Sequence, residues 1–233
     1  MISLVVFISL CMIVAYLHKV AANFVYYLHE PTIKPLKDIG FMLINEIPPK
    51  YQVTSEVLFF IPIILMTVEI LYGGCKWCWQ GSNELSTQTY LMLYRFGMNV
   101  SVAALLRCIS FLSTILPGPR YHCRKGSMYY NPPKSTYEIF TRSDMFNGCG
   151  DLIFSNHTTL HLIALLTLTT YEDMYQTALS QALLYFIMVA FVVFTIASRK
   201  HYTVDIIIAM YVVPMVWCCS YQVVSDKWLL GLP

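Results

Sequence analysis

The sequence predicts an all-α polytopic membrane protein, six transmembrane helices in a single bundle, and three observations carry that prediction. The 233-residue chain is 57% hydrophobic and only 12% charged, against about 25% charged in ordinary soluble domains. Its mean hydropathy is +0.58. Its apolar residues fall into six runs, each near the length of about 20 residues that a helix needs to cross a bilayer. A soluble fold of this size has too little interior to hide that much apolar surface. The formal net charge of +2, without a long basic run, leaves nucleic acid binding no electrostatic basis.

The first run, Ile2 to Tyr16, has no basic segment before it and no cleavage site before Lys19. It reads as a retained helix continuing to Leu28, with Lys19 free to snorkel. Pro31 to Lys50 is a proline-rich connection, and a second span follows near Val53 to Tyr72. Gly73 to Thr89 reads as a polar turn before a third span, Tyr90 to Leu116. Pro117-Gly118-Pro119 stops that helix, because neither proline can continue it. Arg120 to Gly150 is the longest polar segment; the fourth span is expected from Asp151 to Thr170. Glu172-Asp173 marks a turn, the fifth span runs from Thr177 to Ala197, and after Ser198 to Tyr202 the sixth reaches Tyr221. No repeat or low-complexity tail divides the chain, so residues 1–233 read as one catalytic membrane domain, with the motif-bearing part at about 106–221.

Eight cysteines in so apolar a chain do not describe a secreted disulfide scaffold. Cys11, Cys108, Cys218 and Cys219 lie in apolar runs, where a thiol behaves as a small hydrophobe. Cys75 and Cys78 form a lone C-x-x-C without the second pair or histidine of a zinc site. Cys123 and Cys149 bracket one loop, and a bridge between them requires that the loop face an oxidising lumen.

Charged residues within spans usually face a bundle interior; Glu69, Arg95, Arg107 and Asp205 are the candidates. His157 opens the fourth span and His201 precedes the sixth, so the chain crosses out and back between them and both reach one membrane face. His201 and Asp205 are four residues apart, which on a helix places them on one face about 5–6 Å apart. A carboxylate there holds one imidazole nitrogen as N–H and leaves the other as a directed nucleophile. A second histidine can protonate a leaving oxygen. With Arg199 and Lys200 beside them, the pair suits phosphoryl transfer through a phosphohistidine, the cations neutralising phosphate. The bland alternative is two interfacial histidines, each satisfied by a local hydrogen bond. His157 and His161 also stand at i, i+4, but H-T-T-L-H lacks the glutamate of H-E-x-x-H, so no metal is assigned to them. Asn156-His157-Thr158 is formally a glycosylation sequon at a helix entrance.

Longer motifs are recognisable around these residues. Cys149-Gly150-Asp151-Leu152-Ile153-Phe154-Ser155-Asn156-His157-Thr158 resembles the C-G-D-x-x-F-S-x-H-T motif of the sphingomyelin synthase family, and His201-Tyr202-Thr203-Val204-Asp205 its H-Y-T-x-D signature. Pro35-Leu36-Lys37-Asp38 resembles its P-L-x-D element, and Leu106-Arg107-Cys108 through Leu116-Pro117 and His122-Cys123 a further arginine-containing block. The resemblance implies a six-span phosphotransferase related to the lipid phosphate phosphatases. Such enzymes move a phosphorylated head group from a glycerophospholipid to ceramide and release diacylglycerol. By motif, His201 would be the nucleophile, Asp205 its orienting partner and His157 the general acid and then base. Asp151, Arg107 and Arg199 would serve substrate binding. The broader phosphatase pattern has P-S-G-H where this chain has Phe154-Ser155-Asn156-His157, and places its S-R pair further before the histidine than Ser198-Arg199. The role of that arginine therefore does not transfer automatically.

Ser198 to Asp205 is more similar to the inositolphosphorylceramide synthases of plants and protists than to vertebrate sphingomyelin synthases. A basic edge also suits an anionic donor such as phosphatidylinositol. Tyr121, Tyr129, Tyr130 and Tyr137 leave open a cage for choline, and ethanolamine is a further alternative. A phosphatase or phospholipase C-type hydrolase could use the same histidines with water as acceptor. A non-catalytic scaffold or transporter would have no chemical need for all three of His157, His201 and Asp205. No metal or other cofactor is expected, because arginine and histidine supply the charge stabilisation. The resemblance implies a Golgi or other endomembrane location with a lumenal active site. The positive-inside rule opposes that sidedness, because the histidine-side loops hold ten lysines and arginines and the other loops only Lys76 and Lys227.

Overall fold

A computed structural model describes residues 4–80, 87–143 and 148–229, with the backbone alone at residues 49, 76–80, 227 and 228. The described residues are helical, with no strand among them. The long helices are α1 (Leu4–Leu28), α3 (Val53–Gln80), α4 (Thr87–Ser113), α6 (Asn156–Tyr171), α7 (Ala178–Ala197) and α8 (Thr203–Val223). Two short helices, α2 (Ile39–Leu43) and α5 (Thr136–Thr141), lie in the connections, and α9 (Asp226–Leu229) follows α8. Five of them, α1, α3, α4, α7 and α8, are long and apolar enough to cross a bilayer. The sixth, α6, has 16 residues, about 24 Å of helix.

Its surroundings explain why α6 is shorter and apolar on nearly every side. It packs against α3, α4, α7 and α8, and Ile163, Ala164, Leu165 and Leu168 on it have no exposed surface. A helix walled in this way is stabilised by burial of its whole circumference rather than of one stripe. The outer helices bury only their inner faces; Val5, Val6, Ile8, Val68, Ile109 and Phe186 remain exposed, as lipid contact demands. Pro62 in α3 and Pro214 in α8 sit within spans, where neighbouring groups re-satisfy the freed backbone.

Two boundaries differ from the sequence reading. The expected polar turn from Gly73 is helical through Gln80, and the Cys75–Cys78 pair falls on that extension, the Cys78 side chain lying outside the described part. Asp151 precedes α6 rather than beginning it, because Ser155 caps the helix by accepting from the Thr158 N–H at 3.2 Å. Such a cap contributes about 1 kcal/mol, and Ser155→Ala would remove it. Arg95 is fully buried at the end of the bundle remote from the histidines. It pairs with Asp226 at 2.5 Å and donates to the Ser220 and Val224 carbonyls, fastening α9 beneath α4.

Candidate active site

Three chain segments build the site. The extended stretch 148–155 leads into α6 and sets His157 in its first turn. The turn 198–202 between α7 and α8 carries His201. Asp205, third in α8, reaches back to accept from the Tyr202 N–H at 2.9 Å, which closes the helix start. The Ser155 N–H donates to the Asp205 carbonyl at 3.0 Å, so the two segments are tied at their ends.

This places the Asp205 carboxylate, wholly buried, 3.5 Å from His201 Nδ1. The sequence reading put both residues on one helix face; instead His201 stands before α8 and the carboxylate returns to it across the helix N-terminus. The His157 and His201 rings meet edge to face with centroids 5.8 Å apart. Both line one cavity, with Arg107, Arg120, Asp151 and Lys200. His161, one turn deeper, stacks on Phe191 at 4.7 Å between centroids. His161 thus lies against α7 and outside the cavity that His157 lines.

The cavity is strongly cationic. Burial chiefly, and then Arg120 and Arg107, hold the His201 imidazole well below its ordinary value of 6.5, which keeps it neutral. Burial likewise lowers the Lys200 ammonium, whose carboxylate partner is Glu56. Glu56, in the first turn of α3, also lies 3.9 Å from His157 Nε2. Arg107 is buried and engaged: it pairs with Asp151 at 3.2 Å, donates to the Asp151 and Phe154 carbonyls, and meets His18 Nε2. Its fork organises the segment before α6, and one edge of it reaches the cavity.

Residues 148–223 match the family model described as PAP2 superfamily C-terminal, a span that holds both histidines and Asp205. The chain is 35% identical to a phosphatidylinositol:ceramide inositolphosphotransferase of Arabidopsis thaliana, over 95% of this chain and 69% of the relative. It belongs to that family. A rice relative of the same name is 36% identical over 86% of this chain and 60% of its own length. A phosphatidylethanolamine:ceramide ethanolaminephosphotransferase of Trypanosoma brucei brucei is 25% identical over 76% of this chain and 64% of its own.

The remaining motif residues of this inositolphosphotransferase family member form a dock rather than a reacting group. Thr203 donates to both Asp38 oxygens, through N–H at 2.8 Å and Oγ1 at 2.5 Å, and its Oγ1 accepts from the Gly40 N–H at 3.1 Å. Tyr202 accepts from the Leu36 N–H and donates to the Pro117 carbonyl. A Cβ at Gly40 would stand 2.2 Å from Thr203 Oγ1. The P-L-x-D and H-Y-T elements thus lock the first loop onto the start of α8.

Arg199 belongs to this dock too. At φ +54° its backbone turns the side chain away from the cavity. The guanidinium donates to the Ile196, Phe41 and Ile44 carbonyls and lies 3.8 Å from Glu46. The structure brings His157, His201, Asp205, Asp151 and Arg107 together and leaves Arg199 outside. Sequence reasoning did not single out Arg120, Glu56 or His18, which reach the site from a loop, α3 and α1 with no local spacing to announce them. Cys123 and Cys149 are bridged, with Cα atoms 5.8 Å apart, at the cavity wall. Asn156 lines the cavity and Thr158 is wholly buried, so the sequon is not presented at a surface.

Proposed function

We propose that this protein transfers phosphoinositol from phosphatidylinositol to ceramide and releases diacylglycerol. The observation that carries the reading is the pair of histidines in one cationic cavity, one of them backed by a buried carboxylate, in a chain whose similar relatives carry that activity in their names. His201 Nε2 attacks phosphorus, its Nδ1–H held toward Asp205. The bond from phosphorus to the glycerol oxygen breaks, and that oxygen takes a proton from protonated His157. His157, now neutral, then accepts the proton of the ceramide hydroxyl. The ceramide oxygen attacks phosphorus, the phosphorus–nitrogen bond breaks, and His201 is regenerated neutral.

Arg120 and Lys200, with Arg107 behind them in the cavity wall, balance the phosphate charge as it develops. No metal takes part in this scheme, so activity is expected to survive a chelator. Glu56 pairs with Lys200 and lies 3.9 Å from His157 Nε2, so a carboxylate faces the nitrogen that handles the proton.

The Cys123–Cys149 bridge beside the cavity supports an active site on an oxidising, lumenal face. Phosphate-binding cations supply a functional reason for basic loops there, and Golgi residence follows by family analogy.

The test is a product assay on purified protein in mixed micelles. Labelled ceramide is offered with phosphatidylinositol, phosphatidylcholine and phosphatidylethanolamine together, using wild type and His201→Ala. A labelled inositolphosphorylceramide made by wild type alone is expected. Diacylglycerol released without any labelled phosphoceramide would make the protein a hydrolase. A choline or ethanolamine product would correct the head group.

A further inference from the structure

Along most of its length α1 presents apolar side chains outward, Val5, Val6, Ile8 and Met12 among them. Its most polar groups are His18, Lys19 and Asn23, and all three line the catalytic cavity, with the small Ala22 between them. Positions 18, 19, 22 and 23 form one stripe of a helix. Polar groups in a membrane span are costly and turn toward function.

Two of the three are engaged by the protein. His18 meets Arg107, and Asn23 donates to the Ile139 and Arg142 carbonyls at 2.9 and 3.0 Å. Lys19 is different. Its ammonium lies 4.7 Å from the Tyr16 ring centroid, and no carboxylate pairs with it among the described residues. The histidines come from α6 and the 198–202 turn, whereas α1 packs chiefly on α4 and α5. Lys19 therefore borders the cavity from a wall that does not carry the reacting groups, a side open to the part of the head group beyond phosphorus.

We propose that Lys19 binds the head group of the donor lipid and selects an anionic, hydroxyl-rich head over a zwitterionic one. This rests on the transfer reading above and adds the residue that sets its donor preference. An ammonium offers three donors and no acceptor, which suits ring hydroxyls and phosphate oxygens. A choline or ethanolamine head would instead bring a positive charge beside Lys19 in a cavity already holding Arg107, Arg120 and Lys200. Such like-charge contact is a direct means of rejecting a wrong ligand.

The test compares purified wild type, K19Q and K19R with labelled ceramide and varied phosphatidylinositol, and with phosphatidylethanolamine as competitor. K19Q is expected to raise KM for phosphatidylinositol about tenfold, or about 1.4 kcal/mol, with a much smaller change in kcat. It should leave the inhibition constant of phosphatidylethanolamine unchanged or lower it, and K19R should restore most of the lost affinity. An unchanged KM in K19Q, or equal weakening of both lipids, would overturn the proposal while leaving the transfer reading intact. If wild type makes no phosphoceramide from any donor, the transfer reading fails. Thermal-shift binding of short-chain phosphatidylinositol and phosphatidylethanolamine to wild type and K19Q then decides the Lys19 role by the same ratio.

Discussion

Replacing Asp205 with asparagine removes one charge and changes almost nothing in shape. The asparagine oxygen can still accept from the Tyr202 N–H, now 2.9 Å from the carboxylate, so the start of α8 survives. What is lost is the negative charge that Asp205 can hold 3.5 Å from His201 Nδ1 as positive charge develops there when the other nitrogen bonds to phosphorus. At that separation the Coulomb energy is about 4–5 kcal/mol for an effective dielectric near 20. Part of it is recovered by the amide dipole, which leaves about 3–4 kcal/mol, or about 10²–10³-fold in kcat. The assay is initial-rate formation of phosphoceramide, with thermal unfolding in detergent as the fold control. A well-folded Asp205→Asn protein retaining more than a third of wild-type kcat would refute the orienting role of this carboxylate.

Other perturbations follow from the same geometry. Asp38→Ala removes the acceptor of two Thr203 donors and of the Phe41 N–H; a loss of about 2–4 kcal/mol should lower thermal stability and activity together, and an unchanged unfolding midpoint would contradict the dock. Gly40→Ala forces a methyl against Thr203 Oγ1, so it should separate α2 from α8 and cost activity, with Thr203→Ser failing to relieve it because the same oxygen remains. His201 is held below 6.5 by burial and neighbouring cations; its reactive neutral form persists above that lowered value and is lost as pH falls through it, so the acid limb of kcat/KM should lie below pH 6.5. An acid limb centred above pH 6.5 would contradict this. Reducing Cys123–Cys149, which closes a separation of 26 residues, should cost about 3.5 kcal/mol of stability, read as a lower unfolding midpoint under reductant that is absent in a Cys123→Ser, Cys149→Ser protein.

The parts of this molecule that were legible in the sequence are those written in local spacing. Apolar runs bounded by Pro117, Glu172 and Ser198 located the later helices to within a few residues. The alternation of crossings brought His157 and His201 to one face. The Cys123–Cys149 pairing was open because it depends on how a long loop folds over the end of α1, where Tyr26 packs on both cysteines. Arg199 stands outside the cavity for a physical reason: its spacing from His201 suits phosphate, but a left-handed backbone at 199 aims the guanidinium at carbonyls of α2 and α7. Arg120, Glu56 and His18 escaped notice because their partners are far along the chain. The H-Y-T and P-L-x-D elements illustrate a further limit, since a motif marks residues that matter without separating those that react from those that hold the loop.

The claim on which the rest depends is that His201 carries the head group between donor and acceptor. Purified protein mixed with phosphatidylinositol in the absence of ceramide, quenched within one turnover and digested, should yield the peptide containing His201 with added phosphoinositol. The adduct should vanish on adding ceramide, as inositolphosphorylceramide appears at the same rate, and should be absent from His201→Ala. Full turnover without any adduct, or an adduct on another residue that survives His201→Ala, would contradict the account.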